Sequence, residues 1–482
     1  MKRTYYYSKN KRIPLSYLES VKVVRREPGL RHALIGWRSF PISDKFELLL
    51  HADIVKERTL PTARLNDLIE EIIQVEEKMA DRNFTRELHS FEKPPESLPV
   101  YSALLDDTGR ILLQTGEVIA RFHSSLNEDL IRKKLKELGG EIVKSIDFSP
   151  NTYLINVVAE KDSVELANSL VENDLVEYCH PNFIEEMPLR VTIARTSEEL
   201  LNPPNDLFAL QWHLREIKVD KTWTITRGSP KITICIMDSG IDSKHEAFST
   251  IGKMVQGYDF EDSDTFPDPT TSDHGTCCAG IASAPWGVGR VLGVAPDCAL
   301  MSVRRVSNLS SELQMAEAFV WATKNGADII SCSFGIDGRP WHLPRIVQSA
   351  MDFVVTNGRQ GKGSVIVWAA GNGNELISED EWASNYNAIT VGASTDEGAR
   401  AYYSDFGPEL FLCAPSNGGK KGRHKDHFHC NYQYDYQGSL SVFKGSFENC
   451  IIISVFYIFT ADRIRFFSIY CCRMTIVVYL YC

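Results

Sequence analysis

Three polar residues stand where a chain of alternating strands and helices could carry out acyl transfer. Asp238 closes the apolar run in KITICIMDSGID (Lys231–Asp242), His274 sits in Asp273-His274-Gly275-Thr276, and Asn372 follows Ala369-Ala370-Gly371. A carboxylate held against one imidazole nitrogen fixes the ring and leaves the other nitrogen as a general base titrating near neutrality. A primary amide can donate a hydrogen bond to an oxygen that becomes negative in the transition state. Gly275 and Gly371, lacking side chains, leave room for a substrate backbone to approach. Each residue also has a plainer reading: Asp238 as a turn or helix-cap aspartate, His274 as a satisfied helix-start histidine, and Asn372 as a turn residue in Gly371-Asn372-Gly373-Asn374. Singly the plainer readings carry more weight, and jointly the chemical one does.

Such residues need a sheet to hold them. Ile232, Ile234 and Ile236, bounded by Gly228-Ser229-Pro230 and Ser239-Gly240, form a short apolar run that predicts a strand buried on both faces. In open α/β sheets, chemistry is placed at the carboxyl ends of the strands. The strands ITICIMD, CALMSVRRV, ADIISCSFG, GSVIVWAAG, NAITVGA and LFLCAP alternate with the helices HGTCCAGIAS, SELQMAEAFVWATKNG and PRIVQSAMDFVVTNG. That alternation predicts an α/β fold, a parallel sheet with helices on both faces.

Upstream, residues 100–187 run strand, helix, strand, strand, helix, strand, the ferredoxin-like α+β order. Asn127 and Asp162 are placed to cap the two helices and Gly139 to end the first. Residues 1–98 form a region of unknown function that offers one amphipathic helix, ARLNDLIEEIIQVEEKMAD (63–81), followed by a linker-like FEKPPESLP (91–99).

The contexts D-S-G-I-D, H-G-T and A-A-G-N, in the order Asp, His, Asn, resemble the subtilisin-like serine protease family (peptidase S8), whose triad runs Asp, His, Ser. QWHL (211–214), GVAPDCAL (293–300) and ADIISCSFG (327–335) carry the resemblance across residues 204–416, the region expected to be the catalytic domain. The 100–187 module, with LVENDLVEYCHPNFIEEM, resembles the inhibitory pro-domain (inhibitor I9-like) that precedes many such proteases. The resemblance implies a serine endopeptidase precursor in which Asp238 orients the base, His274 is the base and Asn372 is the oxyanion donor. It further implies that Ser333, Phe334 and Gly335, with Gly371 nearby, form the edge on which a peptide substrate adds as a strand. The implied partners are a polypeptide substrate and the chain's own pro-domain.

The sequence also departs from the family. No Gly-Thr-Ser-x-Ala segment follows Asn372; Gly438-Ser439-Leu440 and Gly445-Ser446-Phe447 are the nearest strings, and neither has the flanking residues, so no nucleophile is assigned. The family pattern stops near CAPSNGG (413–419), and residues 420–482 read as a non-family tail, intron-derived or frameshifted. Calcium occurs in the family, but alanine stands at Ala247 where relatives carry an aspartate, so no metal ligand and no cofactor are assigned. The expected function is that of a subtilisin-like endopeptidase precursor, inactive as written. The alternative is a protease-like pseudoenzyme that binds extended peptides or acts as an inhibitor.

Composition narrows the remaining classes. A net charge of −11 over 482 residues argues against nucleic acid as a partner. Asp462, Arg463 and Arg465 break the apolar tail short of the roughly 20 residues a membrane span needs, so no membrane partner is expected. The 12 cysteines form no C-x-x-C zinc pair, and those within strands and helices read as small hydrophobes. The basic N-terminus has no apolar stretch of signal-peptide length, which points to the cytoplasm, while the family resemblance leaves export open.

Overall fold

The computed structural model describes residues 108–158, 162–185, 211–270, 272–286, 291–305, 310–338 and 340–416, together with shorter strand segments within 3–106 and beyond residue 192. The chain divides into two compact units. The first comprises Met1–Glu186, Ser307–Glu317 and Pro344–Ala350; the second comprises Met187–Val306, Ala318–Leu343 and Met351–Cys482. The expected helix at 63–81, the linker at 91–99 apart from Phe91, which ends a strand, and most of the tail from 417 lie outside the described residues.

Two larger sheets, with a small parallel pairing of Leu30–Leu34 and Glu87–Phe91, occur in the first unit. In one, β1 (Arg3–Ser8), β2 (Lys11–Arg25), β3 (Trp37–Pro41) and β4 (Phe46–His51) join β5 (Val100–Asp106) and β6 (Ile111–Leu113). Residues 1–98, which offered sequence reading only a helix, therefore supply strands that pair with residues beyond 100. The other sheet is antiparallel and contains β7 (Glu117–Phe122), β8 (Gly140–Ser145), β9 (Thr152–Val157) and β10 (Val176–Pro181), in the order β8-β9-β7-β10. Helices α1 (Glu128–Leu138) and α2 (Ser163–Glu172) complete this α+β module. Their apolar faces, Ile131 and Leu135 from α1 and Leu166, Ala167 and Leu170 from α2, pack with Val118, Ala120, Phe122 and Ile155 of the sheet.

The helix ends show why the chain folds locally as its sequence predicts. Asn127 Oδ1 accepts the Leu130 N–H at 2.9 Å, and Asp162 Oδ1 accepts the Val164 N–H at 2.7 Å. Gly139, at φ 85°, ends α1 in the left-handed conformation glycine adopts without a Cβ clash. A last short strand, β11 (Ile184–Glu185), pairs antiparallel with Ser310–Ser311.

The second unit is organised on a seven-stranded, wholly parallel sheet. Its strands are β12 (Thr233–Asp238), β13 (Tyr258–Asp259), β14 (Ala299–Arg304), β15 (Ile329–Cys332), β16 (Val365–Ala369), β17 (Ala388–Ser394) and β18 (Leu412–Pro415), in the order β13-β14-β12-β15-β16-β17-β18. Helices α3 (His274–Ser283), α4 (Glu312–Lys324) and α5 (Arg345–Gly361) lie between strands in the chain, and α4 from Ala318 and α5 from Met351 belong to this unit. Alternate residues of each strand face opposite sides. Ile234 and Ile236 pack with Cys277, Cys278 and Ile281 of α3, while Trp368 of β16 stacks on Phe319 of α4 at 6.2 Å. Helices thus cover both faces, and the continuous apolar runs follow from burial on two sides. Among the described residues, Cys235, Cys277, Cys278, Cys298 and Cys332 form no disulfide and are buried, as small hydrophobes would be.

Candidate active site

Because all seven strands of the second unit's sheet run parallel, their carboxyl ends share one edge, and the candidate residues gather there. Asp238 ends β12, Ser333 to Gly335 follow β15, and Gly371-Asn372 follow β16. Strand order β12-β15-β16 spaces the Asp238 and Asn372 strands about 10 Å apart at the usual interstrand distance. The structure brings Asp238 and His274 into direct contact. His274 Nδ1 lies 2.8 Å from Asp238 Oδ1 and 3.0 Å from Oδ2, with the two residues 0% and 1% exposed. A carboxylate can only accept, so Nδ1 carries a proton, and in the neutral ring Nε2 presents its lone pair. His274 Nε2 is buried without a hydrogen-bond partner among the described residues.

Several groups hold this pair. The Ser239 N–H donates to Asp238 Oδ1 at 2.7 Å, and Ser239 Oγ accepts the Gly275 N–H at 3.0 Å while donating to the Ser272 carbonyl at 2.8 Å. Gly275 requires a correction. A Cβ there would stand 2.4 Å from the Gly240 carbonyl oxygen and 3.0 Å from Asp238 Cβ, so its missing side chain makes room for the aspartate strand rather than for a substrate. Burial pulls the His274 pKa down, but the charge of Asp238, with a further push from Cys278, carries it well above the ordinary imidazole value. Cys278 Sγ lies 3.8 Å from Nδ1.

Gly371 has φ 128°, a conformation that favours glycine, and starts the turn bearing Asn372. The Asn372 N–H donates to Asp337 Oδ1 at 3.1 Å, while its side-chain Nδ2 and Oδ1 are buried without hydrogen-bond partners among the described residues. Ser333, Phe334 and Gly335 are buried as well. The Phe334 carbonyl accepts the Trp368 indole N–H at 3.2 Å, and its ring packs edge-on against the same tryptophan.

Sequence reasoning missed one constellation here. Asp337, Glu375 and Asp405 bring carboxylate oxygens within 4.8 Å of one another. The Gly338 N–H donates to Glu375 Oε1 at 2.8 Å and the Glu375 N–H to Asp405 Oδ1 at 3.1 Å. The three acids come from separate segments and form no linear motif, so only folding reveals them. Ala247, where the family resemblance looks for a calcium aspartate, is packed in the apolar core beside Phe248.

Comparison with known proteins turns this geometry into a family. The subtilase family model matches residues 229–442, and the fervidolysin N-terminal prodomain model matches residues 113–182. A thermophilic serine proteinase from a Bacillus species is 32% identical over 62% of this chain and 69% of its own length. The chain belongs to the subtilase family. A calcium-dependent protease from Nostoc sp. is 33% identical to this subtilase over 84% of the chain, which spans 62% of the Nostoc protein's length. The crystal structure of fervidolysin from Fervidobacterium pennivorans, at 19% identity and a TM-score of 0.47, covers 64% of the subtilase and 47% of its own chain. Among the described residues of the subtilase, no helix is long and apolar enough to cross a membrane.

Proposed function

We propose that this subtilase is the precursor of a serine endopeptidase, and that the chain with this sequence does not itself cleave peptide bonds. The contact that supports the first half is the 2.8 Å hydrogen bond from His274 Nδ1 to Asp238, with Nε2 on the far side of the ring buried and without a partner among the described residues. In that reading Nε2 takes the proton of a nucleophilic hydroxyl as it attacks the peptide carbonyl, and Asp238 holds the ring and balances the imidazolium that forms. Asn372 Nδ2, left without an acceptor among the described residues, donates to the oxyanion. The second half rests on the absence of a Gly-Thr-Ser-x-Ala segment after Asn372. The 113–182 module would act as the intramolecular pro-domain.

Calcium fits this reading as a structural ion. A matched relative bears the name calcium-dependent protease, and the all-oxygen set of Asp337, Glu375 and Asp405 suits a hard cation. Those three residues would hold it; the ion would supply positive charge to a carboxylate group that already anchors the Asn372 backbone.

The test follows the intact mass of the purified full chain over time. The expected result is an unchanged chain. A fragment boundary between Met187 and Asp206 that disappears in His274→Ala would overturn the claim of inactivity and sustain the endopeptidase.

A further inference from the structure

Asparagine followed by glycine is a chemically vulnerable pair, because a glycine without a Cβ leaves its backbone nitrogen open to the preceding side chain. The sequence holds four such pairs, Asn325-Gly326, Asn357-Gly358, Asn372-Gly373 and Asn417-Gly418, the last outside the described residues. Two of the three described pairs are tied down. Asn325 Nδ2 donates to the Trp321 carbonyl at 2.8 Å, and the Gly326 N–H donates to the Thr323 carbonyl at 3.2 Å. Asn357 Nδ2 donates to Thr356 Oγ1 at 3.0 Å and to the Phe353 carbonyl at 3.3 Å. Those bonds must break before either side chain can turn onto the nitrogen that follows it. Asn372 differs. Its Nδ2 and Oδ1 have no hydrogen-bond partner among the described residues, and neither does the Gly373 N–H, while Gly373 itself is exposed to solvent. Only its backbone is held, by the N–H donated to Asp337 Oδ1.

We propose that Asn372-Gly373 is a self-modification site, at which the folded chain converts the Asn372 amide to a carboxylate through a cyclic imide. The Gly373 nitrogen attacks Asn372 Cγ and gives up its proton; the N–Cγ bond forms, the Cγ–Nδ2 bond breaks, and Nδ2 leaves as ammonia carrying that proton. Water then adds to one of the two imide carbonyls and returns a proton to the nitrogen. Opening at Cγ yields aspartate, and opening at the main-chain carbonyl yields isoaspartate, with the backbone rerouted through the side chain. No oxidant or cofactor enters. Either product replaces an amide donor by an ionised carboxylate, which only accepts and repels a developing oxyanion. It also adds a carboxylate to a turn whose backbone is already bonded to one member of the Asp337, Glu375 and Asp405 group. The site is therefore an ageing switch at the oxyanion position. The loss of function rests on the endopeptidase reading; the modification rests on the turn alone.

The experiment incubates the folded full-length protein in mildly alkaline buffer and follows each Asn-Gly pair by peptide mapping and mass spectrometry, with isoaspartate quantified separately. Asn372 should convert several-fold faster than Asn325 and Asn357, with isoaspartate among its products. In urea, where no fold protects any pair, the three rates should converge. Gly373→Ala should slow residue 372 and leave the rates at 325 and 357 unchanged, which also reports that the variant is folded. Gly373 has no positive φ, and the nearest atoms to a Cβ there are those of the Glu375 side chain, from 2.5 Å, which can swing aside. A rate at Asn372 in the folded parent no faster than at Asn325 and Asn357, a reading that needs no variant, overturns the proposal, as does conversion without isoaspartate. If residue 372 converts as described while no form of the chain ever cleaves a peptide, the endopeptidase reading fails and the modification site stands.

Discussion

Each unit buries a histidine whose Nδ1 faces a carboxylate at 2.8 Å: His274 with Asp238 in the second unit, His180 with Glu312 in the first. Both rings leave Nε2 buried without a hydrogen-bond partner among the described residues. In both, burial pulls the pKa down and the carboxylate pushes it above the ordinary value, well above it for His274. Their surroundings differ. Glu312 faces Glu185, which pairs with Arg110 at 3.0 Å, and Arg110 also holds Asp106 at 3.0 Å and donates to Tyr6 Oη at 3.3 Å. That network binds strands to one another. Asp238 is instead held by a backbone N–H at the carboxyl edge of a parallel sheet, and the Asn372 amide, without a partner among the described residues, shares that edge. A histidine–carboxylate pair is thus no signature of catalysis by itself; what sets Asp238 and His274 apart is their place at the carboxyl edge of the sheet.

The sharpest way to break this contrast is Arg110→Ala. It leaves Asp106 and Glu185 buried without their cation and should destabilise the first unit by about 3–5 kcal/mol. Denaturant-dependent hydrogen exchange on β5, β6 and β11 measures it, and a loss near zero would mean the network is not structural. In the second unit, Gly275→Ala forces a Cβ against Gly240 and Asp238, an overpacking worth about 1–3 kcal/mol. A lowered melting temperature with a displaced His274 N–H resonance is expected; an unmoved resonance would show that the strand end yields.

Proton linkage should separate the units by pH. Burial, with Glu312 adding and Arg110 opposing, pushes the Glu185 carboxyl up to about 8, so its contribution to the first unit is present below about 4.5 and is lost as pH rises through 8. Burial, with Arg215 adding, pushes His213 of the second unit down to about 3, so its contribution is present above about 6.5 and is lost as pH falls toward 3. Raised His180 and His274 weaken both units on the alkaline side of 6.5, which leaves the acid side to distinguish them. Hydrogen exchange between pH 6.5 and 4.5 should show protection falling in the second unit and rising in the first, with His213→Gln flattening the fall. The smallest expected effect is Asn127→Ala, about 1 kcal/mol, confined to fraying of α1. Exchange that spread beyond that helix would contradict a purely local cap.

The sequence alone carried the strand and helix alternation, the caps at Asn127 and Asp162, the terminator Gly139, and the positions of Asp238, His274 and Asn372. These are local: a two-face apolar run, a side chain reaching the next turn, or a residue beside the strand or helix that places it. Tertiary structure decided the rest. It paired residues 3–51 with strands beyond 100, gathered Asp337, Glu375 and Asp405 from three segments, set Cys278 against Nδ1, and gave the space beside Gly275 to Asp238 instead of a substrate. Periodicity and capping report only on neighbours along the chain, whereas these contacts depend on the order in which strands enter a sheet, which no short window of sequence contains.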